Sequence, residues 1–534
     1  MTSGHHPTGG TVEGTVDGVR TAITDAVVFD GTGGPVGRGD VVLTGSVIEG
    51  IVEPGSGSAD HMIDGSGLAV APGFIDVHTH DDFAAMVHPD MAFKNRGGVT
   101  TCIVGNCGFS AAPGDPRQTF ASSLHPGHAV PDFDSFTGYM SYLEDNPPGV
   151  NIGVLAGHGS IRAAVLGPAA LDPDHQPSDV ELSGMVDVVA EALEAGVLGL
   201  SSGLVYEPGK FATTDELVAL ASTMAGTGAL YASHIRDEGD HLLEAVDEAI
   251  EIGRRAGVAV QISHHKAAGS ANWGKVTESL ALIEVAQSSG LRVHADQYPY
   301  TAGSTTLDSV LSNYTIVDDR RDVAVEDGLD GRSGTDHPLN GATLPGRAVV
   351  VASCDGHPEW EGRSMTDLAG DFGIPGSDAA RRVLDLAPRT TVILHMMDEA
   401  DVRTVLAHPS TVVGSDGLPT IGGRPHPRLY NTFARVLGHY ARDLGVLPMA
   451  EAVARMTGRS ADIFGLTDRG YIRPGRAADI VVFDPAAIID RGTFADPNHY
   501  PDGIVHVLVN GVPVVANGKP TGARPGRVLR RRQL

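Results

Sequence analysis

The sequence predicts an α/β chain: a (β/α)8 barrel joined to a small β domain that both termini build, with an insertion before the eighth barrel strand. Three observations predict it. Strand-like runs alternate with helical patterns through the middle of the chain, and short strand-and-turn segments of one texture recur at both ends. Over a hundred residues also separate Tyr300 from the last strand-like run at Thr411, far beyond an ordinary connection.

In chain order, RTAITDAVVFDGTG and GDVVLTGSVIEGIV, within residues 20–68, read as strands and turns. ADIVVFDP and GIVHVLVNGVPVVANGKP, within residues 478–520, repeat that texture, and Asn510-Gly511 is a strong hairpin signal. Neither set can bury a sheet face alone, so residues 1–70 and 470–534 are expected to form one domain. Residues 71–469 then hold the barrel. Its strands are read as GFIDVHTH (73–80), VTTCIVGNCG (99–108), NIGVLAGHGS (151–160), GVLGLSSGL (196–204), ALYASHIRDEG (229–239), AVQISHHKAAG (259–269), RVHADQYPY (292–300) and TVVGSDGLP (411–419). Between two of these runs, DHLLEAVDEAIEIGRRAG carries Leu243, Val246, Ile250 and Gly253 at helical spacing and stops at Gly257. Eight strands joined by helices make such a barrel, which keeps its chemistry at the C-terminal strand ends. The insertion, at about 301–389, is expected over the mouth as a lid or a substrate-shaping unit.

Composition narrows the function. Of 534 residues, 66 are acidic and 38 basic, a net charge of −28 that repels phosphate backbones and anionic lipid, so neither nucleic acid nor membrane is expected as a partner. The ending Arg530-Arg531-Arg532 is too short to alter that. Three cysteines, Cys102, Cys107 and Cys354, make no disulfide framework; with no signal-peptide core near the start, a cytoplasmic location is expected. His5-His6 reads as part of a frayed terminus.

Candidate ligands stand at the strand ends: His78 and His80 on the first strand, Cys107 after the second, His234 on the fifth, His264 and His265 on the sixth, Asp416 on the eighth. Each has an ordinary explanation by itself. Cys107 could be a buried thiol, His234 and His264 satisfied core imidazoles, Asp416 before Gly417 a turn residue. Together, at five strand ends of one barrel, they read as a zinc set, since thiolate with imidazoles and a carboxylate is not calcium or magnesium chemistry. His265 must face away from His264 in a regular strand and is left out; Cys102, within its strand, is assigned to the core.

APGFIDVHTHDD, TTCIVGNCGFSAAP, YASHIRDEG, ISHHKAAG, DQYPYTAGST, GSDGLP, RPHPRLYNTFARVLGHYARDLG and RPGRAADIVVFDP together resemble the D-aminoacylases, the N-acyl-D-amino-acid deacylases of the metal-dependent amidohydrolase superfamily, over nearly the whole chain. The resemblance implies zinc-dependent hydrolysis of N-acyl-D-amino acids in an amidohydrolase-type barrel. It implies that Cys107, His234 and His264 hold a tightly bound zinc, and that His78, His80 and Asp416 line a second, weaker site that Cys107 bridges. Many amidohydrolases bridge with a carbamylated lysine from strand four, whereas GVLGLSSGL has none. Asp416 is expected to act as general base and acid. Lys266, Tyr298 and Arg428 match positions that grip the substrate carboxylate, and Tyr206 is placed to help polarise the scissile carbonyl. A hydantoinase- or dihydropyrimidinase-like hydrolase of the same superfamily and a metal-free binding or scaffold barrel are the alternatives. The chain is expected to act as a monomer or small homo-oligomer.

Overall fold

The computed structural model describes residues 18–114, 124, 128, 130–317 and 343–531. His5-His6, Arg532 and residues 318–342 of the expected insertion lie outside the described residues. Two nine-stranded sheets dominate. In the first, Ala69–Pro72 pairs antiparallel with Ile480–Phe483, so strands from both ends of the chain complete one sheet. Its strand alternation turns Ile23, Val41, Leu43, Val70, Ile480 and Leu508 to one buried face. The hairpin between Ile504–Val509 and Val512–Ala516 turns at Asn510 and Gly511, with φ of 49° and 80°, the left-handed pair that a tight hairpin requires.

The second sheet is the barrel, eight strands with a short ninth, Val528–Leu529, paired beside the third. Its strands are β1 (Phe74–Asp76), β2 (Val99–Val104), β3 (Asn151–Gly157), β4 (Gly199–Gly203), β5 (Leu230–His234), β6 (Ala259–Ile262), β7 (Val293–Gln297) and β8 (Thr411–Val413), each parallel to the next. Ile75, Val77, Ile103, Leu155, Leu230 and Val412 fill the interior, which Phe464 and Leu529 plug from below. The helix between β5 and β6, Leu242–Ala256, ends on Gly257 at φ 70°, the left-handed stop expected from sequence.

β1 and β8 share no ladder. They meet in an isolated parallel bridge, Thr79 to Gly417, with the Asp416 amide donating to the His78 carbonyl at 2.7 Å. β1 is therefore shorter than its sequence pattern: the ladder stops at Asp76, and His78 and His80 stand on the backbone that bends across to β8. Between β7 and β8, Ala302–Thr306 and Val349–Ser353 flank Thr391–His395 in an antiparallel sheet, with helices Leu307–Asn313, Met365–Phe372 and Gly376–Leu386 beside it. This unit continues to His395, past the expected end at 389, because Thr391–His395 is its middle strand. Among the described residues no helix is long and apolar enough to cross a membrane.

Candidate metal centre and substrate cleft

At the C-terminal end of the barrel, ligand-type atoms of Cys107, His234 and His264 lie within 4.8 Å of one another, as do those of His78, His80 and Cys107, and of His78, His264 and Asp416. Cys107 Sγ is 3.3 Å from Nε2 of His78 and 3.5 Å from Nε2 of His264. Asp416 Oδ1 is 3.2 Å from Nε2 of His80 and 3.6 Å from Nε2 of His78. His265 turns away to the Ser279 hydroxyl at 2.8 Å, and Cys102 is buried in the core.

The backbone is forced into this arrangement. Cys107, His264 and Asp416 adopt φ of 53°, 35° and 48°, conformations that cost non-glycine residues roughly 1–3 kcal/mol each and persist where surroundings over-determine them. Those surroundings are identifiable. The His264 amide donates to Asp296 Oδ1 at 2.8 Å, and the Gly108 amide donates to the Ser201 hydroxyl at 3.0 Å. The loop bearing Cys107 passes directly over the ends of β3 and β4. A Cβ on Gly105 would meet the Leu155 carbonyl, and one on Gly203 would meet the Cys107 carbonyl, each far inside van der Waals contact. The absence of a strand-four lysine thus has a steric counterpart: the end of β4 is glycine because the thiol-bearing loop occupies the space above it. Gly203→Ala is expected to lift that loop, costing about 1–3 kcal/mol of stability from overpacking and losing bound metal, read by melting temperature and metal analysis.

The electrostatics suit a cation. Burial drives His264 well below the ordinary imidazole range, helped by the Lys266 charge, and takes His234 down to about 4, so both are neutral and free to ligate. His234 Nδ1 is buried without a hydrogen-bond partner among the described residues. Burial raises the Cys107 thiol, with His78 pulling the other way; a dication in reach is what turns such a thiol into thiolate. Burial also pushes the Asp416 carboxyl up, but Arg428, His264, His80 and His78 outweigh it and hold it well below the carboxylate range. An orphaned imidazole nitrogen, two neutral histidines, a thiol and an ionised carboxylate fit a borderline divalent metal such as zinc.

A solvent-connected cleft of about 480 Å³ opens onto this cluster, lined by His234, His264, Asp416, Lys266, Tyr298 and Tyr206 among others. The Tyr206 ring packs edge-on against His234 at 4.9 Å, its hydroxyl 3.3 Å from Thr305 Oγ1. Arg428 is placed differently from the other expected substrate contacts. It is buried behind the cleft wall, its Nη2 2.9 Å from Asp416 Oδ2 and its guanidinium 4.4 Å over the Tyr298 ring, with Nε and Nη1 unpartnered among the described residues.

Two carboxylates escape the sequence reading. Asp296 stands 3.2 Å from Nδ1 of His78, the orienting contact that metal-binding imidazoles take from a carboxylate. Glu238 lies 2.5 Å from the Lys266 ammonium and 3.0 Å from Nδ1 of His264. Both lie in stretches already singled out, DQYPYTAGST and YASHIRDEG; an acid at a barrel strand end was the available signal.

The model of the amidohydrolase family matches residues 61–315 and 363–515. An N-acyl-D-glutamate deacylase of Alcaligenes xylosoxydans xylosoxydans is 40% identical over 94% of this chain and 95% of its own. A D-aminoacylase of the same organism is 40% identical over 95% and 97%. A crystal structure of the N-acyl-D-glutamate deacylase of Bordetella bronchiseptica, complexed with zinc and a phosphonate mimic of the tetrahedral intermediate, superposes with a TM-score of 0.84 at 38% identity, covering 96% of this chain and 100% of that one. A dihydropyrimidinase from Brevibacillus agri, at 15% identity and a TM-score of 0.58 over 96% of this chain and 99% of its own, shares the fold alone. The chain belongs to the amidohydrolase family, in its D-aminoacylase branch.

Proposed function

We propose that this protein is a zinc-dependent N-acyl-D-amino-acid deacylase, cutting a linear amide to a carboxylate and a free D-amino acid. The observation that carries the reading is the convergence of Cys107, His234 and His264 within 4.8 Å at the floor of a cleft lined by Lys266. Those three residues would hold the tight zinc; His78, His80 and Asp416 would line a second, weaker site bridged by Cys107. Zinc supplies Lewis acidity there, making water acidic near neutral pH and polarising a carbonyl oxygen. Asp416, ionised, accepts the proton of the attacking water and delivers it to the departing nitrogen as the C–N bond breaks. Lys266 offers a point charge to the substrate carboxylate, the unpartnered Arg428 nitrogens a second cation behind it, and Tyr206 a hydroxyl for the carbonyl. The −28 charge supports a small-molecule substrate with neither nucleic acid nor membrane as partner, the sparse cysteines support the cytoplasm, and the chain is proposed to act as a monomer or small homo-oligomer.

The walls also favour a side-chain class. Val205, Tyr314, Leu394 and Met396 are apolar or aromatic, Ser304, Thr305, Ser309 and Asn313 are polar but uncharged, and among the described lining residues the cations reduce to Lys266, already paired with Glu238. An uncharged side chain fits, whereas with Lys266 and Arg428 both directed to the first carboxylate a second one meets no further cation among the described lining residues. A panel of N-acetyl-D-methionine, -D-glutamate, -D-aspartate and -L-methionine with zinc-loaded protein tests both points. The expected result is turnover of the D-methionine derivative with kcat/KM at least about ten-fold above the others. Preference for the L-isomer would overturn the deacylase reading, and preference for an acidic D-substrate the side-chain class.

Arg428→Ala separates binding from proton transfer. KM is expected to rise with zinc content unchanged. Arg428 is also among the charges depressing the Asp416 carboxyl, so its removal raises that pKa, and the acid limb of kcat/KM should move to higher pH.

A further inference from the structure

Beneath the cluster, on the side of β1 away from the cleft, lies a fully enclosed ionic network that the reaction itself does not use. Lys94, 2% exposed, sits on the short helix Ala92–Asn95 that leads into β2. Its ammonium donates to Asp76 Oδ2 at 2.8 Å, Thr79 Oγ1 at 2.8 Å and Ser415 Oγ at 3.0 Å, with Asp81 Oδ2 at 3.2 Å. Ser415 closes the ring, donating from its hydroxyl to Asp76 Oδ2 at 2.6 Å and from its amide to Asp76 Oδ1 at 2.8 Å. The Thr79 hydroxyl donates to Asp81 Oδ2 at 2.9 Å.

The location matters more than the charge count. β1 and β8 have no strand ladder between them, so the barrel is closed there by one backbone bridge and this network. Thr79 lies between His78 and His80 in sequence, and Ser415 immediately precedes Asp416, which is held at φ 48°. A single tetrahedral ammonium therefore addresses both chain segments that carry the weaker-site groups, and touches none of the Cys107, His234 and His264 donors. An apolar side chain of similar length fills the space but makes none of the three hydrogen bonds, and leaves the Asp76 and Asp81 carboxylates facing each other without a counter-charge.

We propose that Lys94 is a positioning residue: it sets the register of the His78–His80 segment against Asp416, acting through Thr79, Asp76 and Ser415. The proposal rests on the deacylase reading for its kinetic consequence and on the geometry alone for its metal-binding consequence. Catalytic groups need placement within a fraction of an ångström, so slippage between β1 and β8 falls on turnover before substrate binding.

The test uses the full chain with Lys94→Met, and with the charge-balanced pair Lys94→Met and Asp81→Asn in case the single variant does not fold. The double variant is expected to melt cooperatively. Its apoprotein should take up a first equivalent of Co²⁺ with the thiolate-to-cobalt absorption of wild type. A second equivalent, followed by calorimetry, should bind at least about ten-fold more weakly. With N-acetyl-D-methionine, kcat should fall by about 100-fold with KM within about three-fold of wild type. A kcat within two-fold of wild type would overturn the proposal, as would loss of the first cobalt site, which would make Lys94 a support of the whole barrel end. If wild type turns over none of the N-acetyl-D-methionine, -D-glutamate and -D-aspartate panel, the deacylase reading fails, and the second-equivalent titration still decides: unchanged affinity in the double variant would overturn the role of Lys94.

Discussion

Cys107→Ala is expected to abolish zinc retention and turnover together. The sulfur belongs to two of the three ligand-type groupings, and the carboxylate that reaches both His234 and His264, that of Glu238, is already taken up by the Lys266 ammonium at 2.5 Å. Removing an orienting contact from a zinc ligand typically costs 10–100-fold in affinity, and removing the ligand itself should cost more, on the order of 1,000-fold. Zinc per chain after gel filtration should fall towards zero and kcat below about 1% of wild type. Cys107→Ser should behave alike, because a hydroxyl does not ionise as a thiol does beside a dication. Fold stability should change little by comparison, as alanine at φ 53° carries a strain similar to the cysteine it replaces. The same variant decides against an acyl-enzyme route through Cys107. A nucleophile's loss would leave zinc bound and turnover gone; a ligand's loss removes both. Retained zinc with full activity would take the metal centre away from this residue.

What the sequence disclosed and what it hid follow from range. The terminal strands, the Asn510-Gly511 hairpin and the Leu242–Ala256 helix are local patterns, and each is where its pattern puts it. Strand-end chemistry was legible because a barrel sends all its C-terminal ends to one place. The true end of β1 was not, since Asp76 rather than His80 is where the backbone turns towards a residue far along the chain, Gly417. Asp296, Glu238 and Lys94 escaped for the same reason. An isolated acid or lysine in a buried stretch has no meaning until its partner is known, and His78, Lys266 and Ser415 come from other elements. Arg428 shows the limit most plainly: its motif pointed to a carboxylate, but sequence could not say that Asp416 is one such carboxylate. The insertion's presence was legible; its continuation to His395 and its middle strand, paired at both edges, were not.

Asp416→Asn is expected to lower kcat by about 10²–10⁴-fold, the usual worth of a positioned general base, while zinc stays on Cys107, His234 and His264. Asparagine is close to isosteric and tolerates left-handed backbone better than most residues, so φ 48° is kept. What it lacks is a basic oxygen: an amide does not take a proton from water near neutral pH. Because Arg428, His264 and His80 hold the native carboxyl low, wild-type kcat/KM should keep its plateau well into the acid range, losing it only where Asp416 protonates. The variant's residual activity should lack that limb. The substitution also strips a buried guanidinium of its counter-charge, an effect worth about 3 kcal/mol when one partner of a buried pair is removed, so the melting temperature should fall too. Adding Arg428→Gln removes the orphaned charge, and the double variant should regain most of the lost melting temperature with no return of turnover. That combination separates proton transfer from stability. Recovery of kcat alongside the melting temperature would mean that Asp416 serves as the anchor of Arg428, and that the proton is carried by another group.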